Sequence, residues 1–248
     1  MLGIIGGSGL ACLGTLAVRD RETLSTPYGA PSAALVYGTL QHREVFFLAR
    51  HGEGHTIPPH TVNYRANIWA LHARGVRDIL SVATVGGIAR GLEPGALAVP
   101  DQIIDYTYGR KNTFFSGDDA GVVHIDFTRP YCESMRQRIV RAAADAGERI
   151  VDGGTYGTTQ GPRLETAAEI ARLERDGADM VGMTAMPEAA LAREKGLCYA
   201  AIAVVVNHAA GRGNSTQNVR LEDMSTVLEP AMARVRAIID RLVVCYGD

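Results

Sequence analysis

The sequence predicts a single α/β domain of three layers, with a central mixed β-sheet flanked by helices, spanning residues 1–248. Three observations carry this. Short apolar runs alternate with amphipathic segments over most of the chain, as strands and helices do around one sheet. The run Tyr199–Val206 (YAAIAVVV) is apolar throughout, which suits a central strand covered on both faces. Of the 248 residues, 46% are hydrophobic and 21% charged, enough for one large core, with no repeat, low-complexity tract or linker to divide it.

The elements follow in order. Leu2–Ile5 reads as a buried strand that stops at Gly6, and Ala34–Tyr37 and Glu44–Ala49 as two more. Val62–Arg74 has Ile68 and Leu71 at helical spacing and Gly75 as its stop. Asp78–Val85 is a strand ending in Gly86-Gly87, and Val99–Tyr106 another. Arg129–Ala146 is a helix, with Pro130 tolerated in its first turn and Gly147 after its end. Glu165–Arg175 and Pro187–Lys195 are helices followed by Gly177 and Gly196, with the strand Asp179–Met183 between them. Cys198–Val206 is the central strand. The last helix covers Glu222–Val243, and Pro230 is expected to kink or interrupt it.

Ligands of such sheets sit beyond the strand ends. The residues with chemistry to offer fall there: Gly6–Ser8, Arg50–His51, Thr84–Gly87, Met183–Thr184 and Asn207. Gly6-Gly7-Ser8-Gly9 can turn backbone N–H groups toward one point and so cradle an anion, although glycines also serve simple tight turns. Its spacing is not that of a dinucleotide fingerprint. Arg50, at the end of an apolar strand, is placed for bidentate contact with phosphate or for an ion pair. Thr84 and Thr184 add hydroxyl and N–H donors. His51, His55 and His60 have loop-like spacing and no accompanying carboxylate set, so no metal is expected.

The formal net charge of −2 gives no sign of a nucleic-acid partner. No apolar run reaches membrane-spanning length. The N-terminal MLGIIGGSGL lacks the basic region of a secretory leader. Cys12, Cys132, Cys198 and Cys245 form no CxxC pair. They are expected to be reduced, mostly buried thiols of a cytoplasmic protein.

Six blocks keep a shared order: IIGGSGL at 4–10, RHGEGHTIPPHTVNYRANIWAL at 50–71, TVGG at 84–87, TQGPRLETAAE at 159–169, GADMVGMTAMPEAALARE at 177–194 and VVVNHAAG at 204–211. Together they resemble the trimeric purine nucleoside phosphorylase and methylthioadenosine phosphorylase family over nearly the whole chain. The resemblance implies a nucleoside and inorganic phosphate as co-substrates, no cofactor, and a homotrimer. By resemblance, phosphate is held by Ser8, Arg50, His51, the turn at Ala83-Thr84, and Thr184. Ala83 departs from the Thr or Asn usual in the family. Met183 lies where the family packs a methionine on the ribose, and His124 matches a histidine that reaches the neighbouring subunit's site.

Adenine-specific members of this family carry aspartates where this chain has Asn207 and Ala209. They also carry a small residue at the position of Glu165, beside Leu164. An amide donates where a carboxylate cannot, so Asn207 can donate to O6 or N7 of a 6-oxopurine, and Glu165 can accept from N1–H. A helix N-terminal carboxylate favoured by the dipole would explain Glu165 alone but not Asn207. At the sugar end, Val219 and Leu221 stand where ordinary purine nucleoside phosphorylases place a histidine for the 5′-hydroxyl. Apolar residues there favour a 5′-methylthio group. The expected reaction is phosphorolysis of a 6-oxopurine nucleoside with a methylthio sugar, with Asn207 as the catalytic contact to the departing base. Inosine/guanosine and methylthioadenosine phosphorylases are the near alternatives, and a non-catalytic nucleoside-binding regulator is the alternative from another class.

Overall fold

The computed structural model describes residues 1–116 and 121–246, apart from the side chains of Leu221 and Asp223. The strands are β1 (Leu2–Gly6), β2 (Ala17–Glu22), β3 (Leu35–Leu40), β4 (Arg43–Ala49), β5 (Asp78–Gly87), β6 (Leu97–Val99), β7 (Gln102–Asp105), β8 (Val151–Asp152), β9 (Thr155–Thr158), β10 (Met180–Gly182) and β11 (Cys198–His208). The helices are α1 (Tyr64–Ala73), α2 (Glu133–Asp145), α3 (Ala167–Arg175), α4 (Ala185–Glu194) and α5 (Leu221–Val244). All these strands join one mixed sheet.

Strand β5 organises the sheet. It pairs in parallel with β1 through Leu2↔Asp78 to Ile5↔Ser81, and with β11 from Cys198↔Asp78 onward. Near its end Gly86 and Gly87 pair antiparallel with β10. Alternating side chains on these strands serve two cores. Leu80, Val82, Ile202 and Val204 face α2 and α5, meeting Ile139, Met232 and Ile238. Ile79, Ala201 and Tyr199 face α1 and α4, meeting Ile68, Leu71 and Leu191. The layers are therefore helix, sheet, helix, as the alternating pattern predicts.

The differences from the sequence reading have physical causes. The expected strand Val99–Tyr106 is divided into β6 and β7 at Pro100, which has no N–H for the ladder. Helix α2 starts three residues after Pro130, with Cys132 as its N-cap. Pro230 lies inside α5, which runs on past it without interruption. Strand β2 was not expected because AVRDRE is exposed and polar at this sheet edge. The short β8 and β9 carry too few residues to show a period.

The cysteine expectation is corrected. Cys132 and Cys198 form a disulfide, and Cys12 and Cys245 are exposed rather than buried. The backbone brings the first pair together: the Cys132 N–H donates to the Tyr199 carbonyl at 2.8 Å, setting the start of α2 against the start of β11. A separation of 66 residues hid this pairing from the spacing. Among the described residues no helix is long and apolar enough to cross a membrane.

Candidate active site

The ends of β1, β4, β5, β10 and β11 surround one cavity. Its lining includes Ser8, Arg50, His51, Ala83, Thr84, Thr184, Met183, Glu165, Leu164, Asn207, Ala209 and Val219. The structure thus brings together residues that the sequence separates by two hundred positions. Leu221 opens α5, and its side chain lies outside the described residues. His124 is exposed and does not line the cavity of its own chain.

The anion end is built around Arg50, which is wholly buried. Its Nε donates to Glu188 Oε2 at 2.7 Å and its Nη2 to Glu188 Oε1 at 2.9 Å. Nη2 also donates to Ser81 Oγ at 2.6 Å, and Nη1 to the Val82 carbonyl at 3.0 Å. A guanidinium has five N–H groups. The bidentate face expected for phosphate therefore meets Glu188, and one Nη1 hydrogen remains for an anion. Glu188 Oε1 also accepts from Ser81 Oγ at 2.9 Å and from the Tyr199 hydroxyl at 2.8 Å. Burial alone would depress the Arg50 guanidinium, but the Glu188 carboxylate overrides it and holds Arg50 above the ordinary arginine value.

The glycine loop fits against this pair. A Cβ on Gly7 would lie 2.6 Å from the Val82 carbonyl oxygen and 2.8 Å from Arg50 Nη1. Only glycine lets the loop approach the guanidinium that closely. Ser8 Oγ, on the same loop, lies 3.3 Å from His55 Nε2. His55 and His51 rings are 4.6 Å apart, and His55 also lines the cavity.

His51 differs from the other anion-site residues. Its Nδ1 lies 2.8 Å from the Ile57 carbonyl, which can only accept, so Nδ1 carries the proton. Burial first, and the Arg50 charge second, push the imidazole down to about 4. At neutral pH His51 is uncharged, with Nε2 an acceptor. Its place beside Arg50 could be read from the sequence; the bond to Ile57, which leaves Nε2 as an acceptor on the cavity side, could not.

At the base end, Asn207 sits in a β-bulge. Val205 pairs with Val85, and the next pairing is Asn207 with Gly86, leaving Val206 as the extra residue. Bulges re-aim side chains, and this one puts Asn207 on the cavity wall. One Nδ2 hydrogen is donated to the His208 carbonyl at 2.6 Å, leaving Nδ2 one further hydrogen alongside Oδ1. Glu165 precedes α3 instead of belonging to it. Thr166 is the N-cap, and Glu169 completes the capping box. The helix-terminal explanation of Glu165 thereby passes to Glu169, and Glu165 is left to face the cavity. Its Oε1 accepts from the Thr159 hydroxyl at 2.6 Å.

Met183 and the base segment share an anchor. The Arg110 guanidinium donates to the carbonyls of Met183 at 2.8 Å, Met186 at 2.5 Å, Thr159 at 3.2 Å and Gln160 at 2.8 Å. Gly161 has φ +62°, and a Cβ there would collide with the Met183 sulfur. Thr184 caps α4 without a side-chain cap bond. Val219 and, from α5, Met224 add apolar side chains to the cavity lining.

Sequence reasoning missed Glu188, Ser81, Arg110 and Met224. A signal existed for Glu188, the single carboxylate in the apolar stretch MPEAALA. Among the described residues no cluster of three His, Cys, Asp or Glu is arranged to hold a metal ion.

The model of the Phosphorylase superfamily matches residues 1–244. The chain belongs to the phosphorylase superfamily. This phosphorylase is 52% identical over 240 residues, 97% of each chain, to a probable S-methyl-5′-thioinosine phosphorylase of Pseudomonas syringae pv. tomato. It is 47% identical to a probable 6-oxopurine nucleoside phosphorylase of Thermococcus kodakarensis, covering 85% of this chain and 80% of that one. Among solved structures it resembles methylthioadenosine phosphorylase from Schistosoma mansoni in complex with adenine, with a TM-score of 0.94 and 34% identity. That match covers 99% of this chain and 91% of the other. The single-domain mixed α/β architecture is thus that of nucleoside phosphorylases, and the enzyme class is pentosyltransferase.

Proposed function

We propose that this phosphorylase cleaves S-methyl-5′-thioinosine with inorganic phosphate, giving hypoxanthine and 5-methylthioribose 1-phosphate in purine salvage. One observation carries the base assignment: Glu165 and Asn207 line the same cavity, with Ala209 where a second aspartate would mark an adenine reader. A 6-oxopurine offers an acceptor at O6 and a donor at N1. Asn207 supplies a donor and Glu165 an acceptor. An aminopurine would leave these groups mismatched, at a cost of about 1–3 kcal/mol per group.

The reaction is a displacement at C1′. The bond from C1′ to the purine N9 breaks with its electron pair going to the base, and a phosphate oxygen bonds to C1′. Ser8, Thr84, Thr184 and the remaining Arg50 N–H hold the phosphate. His51 Nε2 accepts a hydrogen from a protonated phosphate oxygen. Asn207 stabilises the charge that develops on the departing base. Positioning and electrostatics supply the catalysis, with no covalent enzyme intermediate. Val219 and Met224 favour a methylthio group over a hydroxyl at the sugar's 5′ position. A second reading, in which ordinary 6-oxopurine ribonucleosides are turned over as well, draws on the similarity to the Thermococcus protein.

We also propose a homotrimer in which His124 reaches the neighbouring subunit's cavity. Val122 and Val123 beside it are 84% and 43% exposed, an apolar surface that a second copy would cover. Light scattering should return three times the 26.5 kDa chain mass, and a monomer would refute the arrangement.

The base assignment is tested by Asn207→Asp. The ratio of kcat/KM for methylthioinosine to that for methylthioadenosine should fall about tenfold or more, because the carboxylate cannot donate to O6. An unchanged ratio removes Asn207 from base reading.

A further inference from the structure

We propose that Thr159 is a specificity-determining positioning residue, its hydroxyl holding one oxygen of Glu165 so that the other meets N1–H of a 6-oxopurine. The proposal rests on the reading of Glu165 as the base-facing acceptor.

Thr159 directly follows β9 and is fixed on three sides. Its N–H donates to the Gly182 carbonyl at 2.8 Å, at the end of β10. Its own carbonyl accepts from Arg110 Nη2 at 3.2 Å. Its hydroxyl has one hydrogen and two acceptors in range: Glu165 Oε1 at 2.6 Å and the Gly182 carbonyl at 3.3 Å. The shorter contact is to a carboxylate, and such charge-assisted bonds are the stronger kind. The hydrogen therefore goes to Glu165.

This matters because Glu165 stands between two spaces. It lines the nucleoside cavity, and it also lines an adjoining groove walled by Tyr106, Tyr108, Arg163 and Arg172. The positive charge of Arg163 acts on Glu165 from that groove. Arg163 is itself paired with Glu169 at 2.7 and 2.8 Å, so its charge draws on Glu165 without a direct bond. A glutamate has three rotatable side-chain bonds, and the Thr159 bond tethers Oε1 against that pull. Thr159 in turn is anchored through Arg110 to the carbonyl of Met183, on the sugar side of the same cavity. The base acceptor and the sugar contact are thereby registered against one guanidinium.

A purine with no N1–H gains nothing from a fixed acceptor at this point. The Thr159 hydroxyl therefore acts on the preference between bases, not on phosphate. The test compares Thr159→Val, Thr159→Ala, Thr159→Ser and Glu165→Gln with the parent enzyme, using methylthioinosine, methylthioadenosine and phosphate titrations. Thr159→Val should lower kcat/KM for methylthioinosine about tenfold, the loss of one charge-assisted bond. Methylthioadenosine turnover and the phosphate KM should stay within about twofold of the parent. Thr159→Ser, which keeps the hydroxyl, should restore the preference, and Thr159→Ala reads the same loss should the valine fail to fold. An unchanged ratio between the two nucleosides, or a serine variant as impaired as the valine, overturns the proposal. If Glu165→Gln lowers the ratio while Thr159→Val does not, only the Thr159 role fails. If Glu165→Gln is silent, the base-facing role of Glu165 fails, and the Thr159 role with it.

Discussion

Arg50 shows how a site residue depends on a partner that the sequence keeps out of view. The arginine is conspicuous at the end of an apolar strand. Glu188, which takes its bidentate face, lies 138 residues away in a helix whose neighbours are alanines and leucine. Both side chains are fully buried. Removing one member of such a pair leaves an uncompensated buried charge, which costs about 3–5 kcal/mol. Glu188→Ala should therefore lower the unfolding free energy by about that much in urea titrations. A loss below about 1 kcal/mol, typical of exposed pairs, would contradict this view of the pair. His51 was legible as a site residue for its place beside Arg50. The tautomer that leaves its Nε2 an acceptor was not, because that is set by a bond to Ile57 that forms only in the folded loop.

At the scale of elements, most strand ends could be read directly, and the exceptions are informative. Glu165 looked like the first residue of a helix; the capping box at Thr166 and Glu169 moves the start by two residues and frees Glu165 for the cavity. The bulge at Val206 could not be read from YAAIAVVV, because pairing register depends on the neighbouring strand. The join between α2 and β11 was misread altogether, since Cys132 and Cys198 approach only in the folded chain. This disulfide closes a loop of 66 residues, and cross-links of that size stabilise by about 2–4 kcal/mol. Thermal melts should show a lower Tm for the parent protein under reductant, and a Cys198→Ser variant that no longer responds to it. Equal melting with and without reductant would contradict a stabilising cross-link.

At the scale of the whole molecule, the alternation of runs was enough to give the three layers, because hydrophobic period and burial are directly coupled. It did not give the order of strands. The site exists because β5 carries β1 and β10 along one side and β11 along the other, so that their ends open on one cavity. Residues at those ends were legible one by one as donors, and their chemistry became specific only in combination. Arg50 with the glycine loop suits an anion. Glu165 with Asn207 suits a 6-oxopurine, and Val219 with Met224 suits an apolar sugar substituent. The most direct test of this combination follows hypoxanthine release from methylthioinosine by the purified enzyme, with and without phosphate, beside adenine release from methylthioadenosine. The account predicts hypoxanthine release only when phosphate is present, with little adenine released. Release without phosphate, or comparable rates on the two nucleosides, would contradict it.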